Sequence, residues 1–346
     1  MVANSPLHTP FCELIGIQHP ILNVGFGLGA GPALAAAVSN AGGCGVLGFS
    51  GAPPEHISRL VAATRALTDR PFGANMIIAG LADPKSADFV RTSVRAMIAQ
   101  RVAVLVLFWG DPSEFVAEAH SVGTRVLVQV GSVDEARRAA RAGVDAVIAQ
   151  GVESGGHVRG RVALATLLPA VVDAVRPRPV LASGGIADGR GLAAALALGA
   201  QGASLGTRFV ASTEARILDE YKRRVVSARA EDAVLYTDLY DAGWRDAPHR
   251  TLRTRAVDEW EAAGRPASGS RPGEGTLIGV DHRPWGNVEI KRYAPFMVSS
   301  EFEGASEYAP LWAGESCELV HEIKPAGDIV REIVREAEEI LKARTG

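Results

Sequence analysis

The most constraining feature of this chain is an alternation. From residue 20 to about residue 226, short apolar runs alternate with longer amphipathic stretches rich in Ala and Arg. The runs read as strands at 20–24, 45–47, 72–77, 102–107, 125–130, 146–149, 179–182 and 202–205. They lack polar alternation, as expected of parallel strands buried on both faces. Helical stretches fall between and after them, at about 31–41, 53–67, 84–99, 112–122, 133–142, 163–175, 188–198 and 213–226. Asp83-Pro84 and Asp111-Pro112 read as helix starts, and Gly123, Gly143 and Gly199 as stops. Eight βα units at a period of about 25 to 30 residues predict a (β/α)8 TIM barrel, with a doubly wound open sheet as the alternative.

After residue 226 the pattern changes. Four of the five Trp and nearly all Tyr lie in this part, with a Gly/Pro/Ser loop at 264–275 and a polar, basic stretch at 245–255. The expected organisation is a barrel over 1–226, a smaller lid subdomain over 227–322 and a C-terminal helix over 323–346. That helix carries apolar Ile329, Val330, Ile333, Val334, Ala337, Ile340 and Leu341 at helical spacing, so it should pack back onto the barrel.

Composition excludes several function classes. The formal net charge is −3, with no basic stripe for a nucleic acid or an anionic membrane surface. The longest apolar strand run is far short of the roughly 18 residues that a membrane span needs. Cys12, Cys44 and Cys317 lack paired spacing for a disulfide framework or a zinc site. No signal-peptide pattern occupies the start. A soluble, cytoplasmic protein without a metal is expected.

The 38 glycines of 346 residues are more than usual, and their clustering is informative. Gly25-Phe26-Gly27-Leu28-Gly29-Ala30 matches a dinucleotide-binding fingerprint. The next strand, however, runs into Gly48-Phe49-Ser50-Gly51 with no acid for a ribose, so a strand-end turn beside a ligand is the better reading. Ala182-Ser183-Gly184-Gly185 and Leu205-Gly206-Thr207 follow the seventh and eighth strands, where barrels often hold phosphate. Their backbone amides can point inward, with a following helix start and the Thr207 hydroxyl adding to the site. Gln150-Gly151-Val152-Glu153-Ser154-Gly155-Gly156-His157 ends the sixth strand. Of eight histidines, only His157 sits among glycines on such a loop, where an imidazole can take a proton from carbon. Glu153 reads as a helix cap or a solvated carboxylate. Asn23, Asn75, Gln129 and Gln150 end otherwise apolar strands, so their amides either meet a ligand's polar edge or are satisfied by neighbouring loops.

In this order, Asn75, Gln129, Gln150-Gly151, Ser154-Gly155-Gly156-His157, Gly184-Gly185 and Gly206-Thr207 resemble the nitronate monooxygenase family, FMN-dependent barrels formerly called 2-nitropropane dioxygenases. The resemblance covers roughly 15–226. It implies that Asn23, Val24, Gly25, Asn75, Gln129, Gln150, Gly151, Ser154 and Gly156 line the flavin. Gly184, Gly185, Gly206 and Thr207 would hold the FMN phosphate, and His157 would be the catalytic base. It implies oxidation of an alkyl nitronate, or of a nitroalkane after deprotonation, by dioxygen to a carbonyl compound and nitrite. The partners are then a small-molecule substrate and dioxygen, with a homodimer left open.

The chain departs from the family pattern at Val24-Gly25-Phe26, at Val158 after His157, and at Trp109. The alternative is a flavin reductase using NAD(P)H, of the enoyl-ACP reductase or quinone reductase type. A Schiff-base aldolase would need a strand-end Lys, and Lys85, Lys222, Lys291, Lys324 and Lys342 all lie elsewhere.

Overall fold

The computed structural model describes residues 5–242 and 244–343. Parts of the expected organisation at residues 1–4, at Gly243 and at residues 344–346 lie outside the described residues. Eight parallel strands form the barrel: β1 (Ile21–Asn23), β2 (Gly45–Gly48), β3 (Phe72–Ile77), β4 (Val104–Phe108), β5 (Arg125–Val130), β6 (Ala146–Gln150), β7 (Val180–Ser183) and β8 (Ala203–Leu205). They pair in the cyclic order β1-β8-β7-β6-β5-β4-β3-β2. Closure between β1 and β2 rests on a parallel bridge of Leu22 to Cys44 and on the side chain of Asn23. That amide donates to the Val46 carbonyl and accepts from the Val46 N–H, both at 2.9 Å. The open-sheet alternative therefore fails, and the fold is a TIM barrel.

Two apolar layers hold it. Inside the barrel, Leu22, Val46, Val104, Val106, Leu127, Ile148 and Leu181 pack with Phe11, Cys12 and Ile15. The last three come from the helix Pro10–Ile15, which plugs the N-terminal end and was not expected from the sequence. Outside, the other face of each strand packs on the surrounding helices. Burying each large aliphatic or aromatic side chain stabilises by roughly 1.5–3 kcal/mol, so the unalternating strands follow from having two dry faces. The expected helix stops hold, with positive φ of 82° at Gly123, 88° at Gly143 and 95° at Gly199. Asp111 accepts the Ser113 N–H at 2.9 Å and so serves the start of Ser113–Ser121. The next predicted start is displaced: Asp83-Pro84 precedes a turn, and the helix begins at Ala87.

Helix Ala326–Ala343 buries Ile329, Val330, Ile333, Val334 and Ala337 against the barrel exterior. Gly189 lies beneath it, where an added Cβ would meet the Ala337 nitrogen at 2.5 Å. Between the last barrel helix, Asp219–Ser227, and this one lie two small sheets. In the first, β9 (Ala233–Tyr236) pairs with β10 (His249–Leu252), which also pairs with residues Gly156–His157. In the second, β11 (Leu277–Arg283) lies between β12 (Gly286–Lys291) and β13 (Phe302–Gly304). Among the described residues no helix is long and apolar enough to cross a membrane.

Candidate active site

The C-terminal ends of the barrel strands and the segment 227–322 enclose a cavity of about 490 Å³. That is within the usual range of about 300–1,000 Å³ for small-molecule and cofactor sites. Twelve of the fourteen residues expected at the site line it: Val24, Gly25, Asn75, Gln129, Gln150, Ser154, Gly156, His157, Gly184, Gly185, Gly206 and Thr207. Asn23 and Gly151 do not. Asn23 is fully buried, and its amide is consumed in joining β1 to β2. Gly151 faces the helix Leu164–Val175 instead, where a Cβ would meet the Leu164 side chain at 2.6 Å.

The four strand-end amides separate into two kinds. Asn23 and Gln150 are satisfied by the protein, whereas Gln129 has no hydrogen-bond partner among the described residues. Gln150 donates to the His157 carbonyl and accepts from the Arg159 N–H, both at 2.9 Å, and thereby fixes the loop around His157. Asn75 donates to the Val106 carbonyl at 3.1 Å. Gln129 is only 9 % exposed and lines the cavity, so its amide is open to a ligand's polar edge. Glu153 accepts from the Leu164 N–H at 2.9 Å and caps the helix Leu164–Val175.

At β7 and β8 the glycine turns expose donors. Gly184 and Gly185 have φ of 103° and 70°, a region that other residues rarely adopt. A Cβ on Gly184 would meet Ser154 Oγ at 2.4 Å. The N–H groups of Gly184, Gly185 and Gly206 have no partner among the described residues. Thr207 Oγ1 accepts from the Gly314 N–H at 2.9 Å, which leaves its own proton free to donate. Of the two expected helix starts, a short one is present at Thr207–Val210, directly after Gly206, whereas the one after Gly185 is closed by the protein. Asp188 already caps Gly189–Ala197 by accepting from Gly191 at 3.0 Å, and Glu336 takes the Gly189 N–H at 2.8 Å. The turn amides, Thr207 and the short helix it opens make the cradle, and these grouped donors fit a phosphate.

His157 lies at the other side of the same cavity, among rings. Trp244 stacks on it at 4.1 Å between centroids; Trp312 lies at 5.6 Å, His249 at 6.0 Å and Trp109 edge-on at 6.3 Å. Burial pushes its pKa down to about 3, with the neighbouring His249 adding to the shift. The ring is therefore neutral at pH 7, and neither nitrogen has a protein hydrogen-bond partner among the described residues. Trp109 is held at φ 64°, a strained conformation for a bulky residue, with the Arg159 guanidinium 4.9 Å from its ring centre.

Besides Gln150, what fixes His157 comes from beyond residue 226, where sequence reasoning missed it. Residue 157 pairs antiparallel with His249, and Val158 donates to the Pro248 carbonyl at 2.7 Å. His249 is fully buried; its Nε2 accepts from the Tyr240 N–H at 3.2 Å and its Nδ1 meets the Ala247 carbonyl at 3.0 Å. Nδ1 therefore carries the proton, and the neutral ring ties the two flanks of the Trp244 region together. Arg250 reaches across to the Val152 carbonyl at 2.9 Å and to Glu315 at 3.0 Å. The basic stretch at 245–255 was the only sequence signal.

The nitronate monooxygenase family model matches residues 8–336, which spans both the barrel and the segment beyond it. This chain belongs to the nitronate monooxygenase family. It is thus an oxidoreductase, in a family of flavoproteins. A nitronate monooxygenase of Paraburkholderia phytofirmans is 31 % identical over 377 residues, covering 95 % of each chain. A Mycobacterium tuberculosis protein is 40 % identical over 261 residues, 75 % of this chain and 70 % of its own. That relative is named (3aS,4S,5R,7aS)-5-hydroxy-7a-methyl-1-oxo-octahydro-1H-indene-4-carboxyl-CoA dehydrogenase. Among solved structures, FabK from Thermotoga maritima has a TM-score of 0.77 at 33 % identity, covering 98 % of this chain and 99 % of its own.

Proposed function

We propose that this chain is an FMN-dependent oxidoreductase that oxidises alkyl nitronates with dioxygen to a carbonyl compound and nitrite. The observation that carries the reading is a single cavity holding grouped free amides, the unpartnered Gln129 and a neutral His157. Gly184, Gly185, Gly206 and Thr207 would hold the phosphate, while Gln129 and Asn75 would face the polar edge of the ring system. When bound, FMN supplies the electron acceptor, with dioxygen as the terminal oxidant. Segment 227–322 serves as the lid. Trp244 and Trp312 exclude water around His157, and β10 holds that residue in register.

A neutral imidazole with both nitrogens free can donate one hydrogen bond to an anionic substrate. As a base it starts weak, because desolvation disfavours its charged form. A nitronate has already lost its α-proton, so it needs only the donor. A neutral nitroalkane needs the base. The site therefore favours nitronates, and an anion beside His157 raises its pKa from the depressed value. Aerobic incubation of the FMN-loaded protein with a nitronate should consume dioxygen and release nitrite and carbonyl product. Absence of nitrite would remove the reading.

A second reading is favoured by the dehydrogenase and FabK likenesses. It is an FMN enzyme that exchanges hydride with NAD(P)H and acts on a carbon skeleton carried by a thioester. The half-exposed Phe296 at the cavity rim suits a long substrate extending outward.

A further inference from the structure

We infer that Arg283 forms an anion-binding subsite in this cavity, taking one planar two-oxygen group of the substrate, a nitronate or a carboxylate. Among the described residues Arg283 is the only Lys or Arg in the cavity lining. Its side chain is 8 % exposed, and its Nε donates to Asp281 Oδ2 at 3.0 Å. Asp281 is fully buried and also accepts from the Ser299 hydroxyl, so its position is fixed. Neither Nη of Arg283 has a partner among the described residues. Its free edge faces the cavity and is open to acceptor oxygens of a ligand. With Nε committed, the remaining edge presents two parallel donors, which match a two-oxygen anion.

The hairpin that carries Arg283 is anchored. Beyond it, Pro284 and Trp285 pack near Leu28, Phe49 and Leu60, and the Trp285 ring lies 5.5 Å from that of His56. This places Arg283 over the β1–β2 side of the mouth, whereas the glycine cradle belongs to β7 and β8. The other charged group in the lining is Asp83, an exposed residue whose carboxylate takes the Lys85 N–H. Asp281 balances the charge of Arg283, so recognition rests on directed donors more than on net charge.

The identity of the anion rests on the function proposed above; the subsite does not. FMN-loaded wild type, R283Q and R283K should be titrated with benzoate and with neutral benzamide, following the flavin absorbance. Benzoate should bind the wild type and weaken about tenfold or more in both variants. Benzamide binding and FMN content should stay unchanged. R283K keeps a cation beside Asp281, so its loss reports the missing fork rather than a misfolded hairpin. Equal benzoate affinity in wild type and R283K, no benzoate binding to the wild type, or FMN loss from R283K overturns the inference. A protein that binds benzoate through Arg283 yet releases no nitrite would contradict only the proposed reaction. Where nitronates turn over, equal kcat/KM losses with and without a terminal carboxylate assign Arg283 to the nitronate group. A loss confined to the carboxylate-bearing nitronate assigns it to the carboxylate, and no loss with either overturns the subsite.

Discussion

The barrel rim and the segment 227–322 build the same cavity by opposite means. The rim contributes backbone: glycine turns at β7 and β8 and a tied-down loop after β6. The other region contributes side chains, with Trp244 and Trp312 around His157 and Arg283 over the β1–β2 side. The rim is set by local turns; the lid is set by pairings between residues far apart in sequence, such as His157 with His249. A rim defect should therefore cost the cofactor, and a lid defect should cost the chemistry while the cofactor stays.

The largest expected effect is at the rim. Gly185→Asp places a bulky anion against the cradle at φ 70° and should leave the purified protein without flavin absorbance. A variant that keeps FMN at normal affinity would break the assignment of the cradle.

His157→Ala should next retain FMN while losing about 10²-fold or more in turnover of neutral nitroalkanes, the usual scale for a proton-transfer group. Turnover of nitronates should fall much less. Equal losses on both substrates would show that His157 does not discriminate between them by protonation.

Within the lid, His249→Phe leaves the Tyr240 N–H and the Ala247 carbonyl without their partner, a cost of about 1–3 kcal/mol. The expected pattern is a lower melting temperature and reduced kcat with FMN content unchanged. Loss of FMN instead would merge the two regions into one.

At neutral pH the smallest effect is that of the His157 titration, which is felt only on acidification. A folded-state value of about 3 for His157, against an ordinary value near 6.5, means that the unfolded chain binds the extra proton between those limits. This site therefore lowers stability as pH falls from about 6.5 toward 3, and contributes nothing further below that. Denaturation measured across the window should show a shallower acid loss in His157→Gln. Trp244→Ala admits water and should move the His157 titration, read from the pH profile of kcat, back toward the ordinary value.

The contrast also separates what is legible in the sequence from what is not. Strands buried on both faces and glycine stops are local signals, and the barrel followed from them almost to the residue. Twelve of the expected positions line one cavity, since strand order places strand ends on one rim. Asn23 was misplaced because a strand-end amide facing a ligand and one closing a barrel look identical in sequence. Gly151 was misplaced because its neighbours on the loop do line the cavity, while it faces a helix. The cage around His157 was invisible for another reason. Trp244, His249 and Trp312 lie 87 or more residues beyond it, in loops and one short strand with no helical or strand period strong enough to fix their position.

Electron transfer from a nitronate to bound FMN is the step on which the proposed reaction depends. Mixing the FMN-loaded protein anaerobically with a nitronate, and separately with NADH or NADPH, tests it most directly. Rapid bleaching of the oxidised flavin absorbance is expected with the nitronate and none with either nicotinamide. Rapid bleaching by NADH or NADPH, with none by the nitronate, would contradict it and establish the reductase reading in its place.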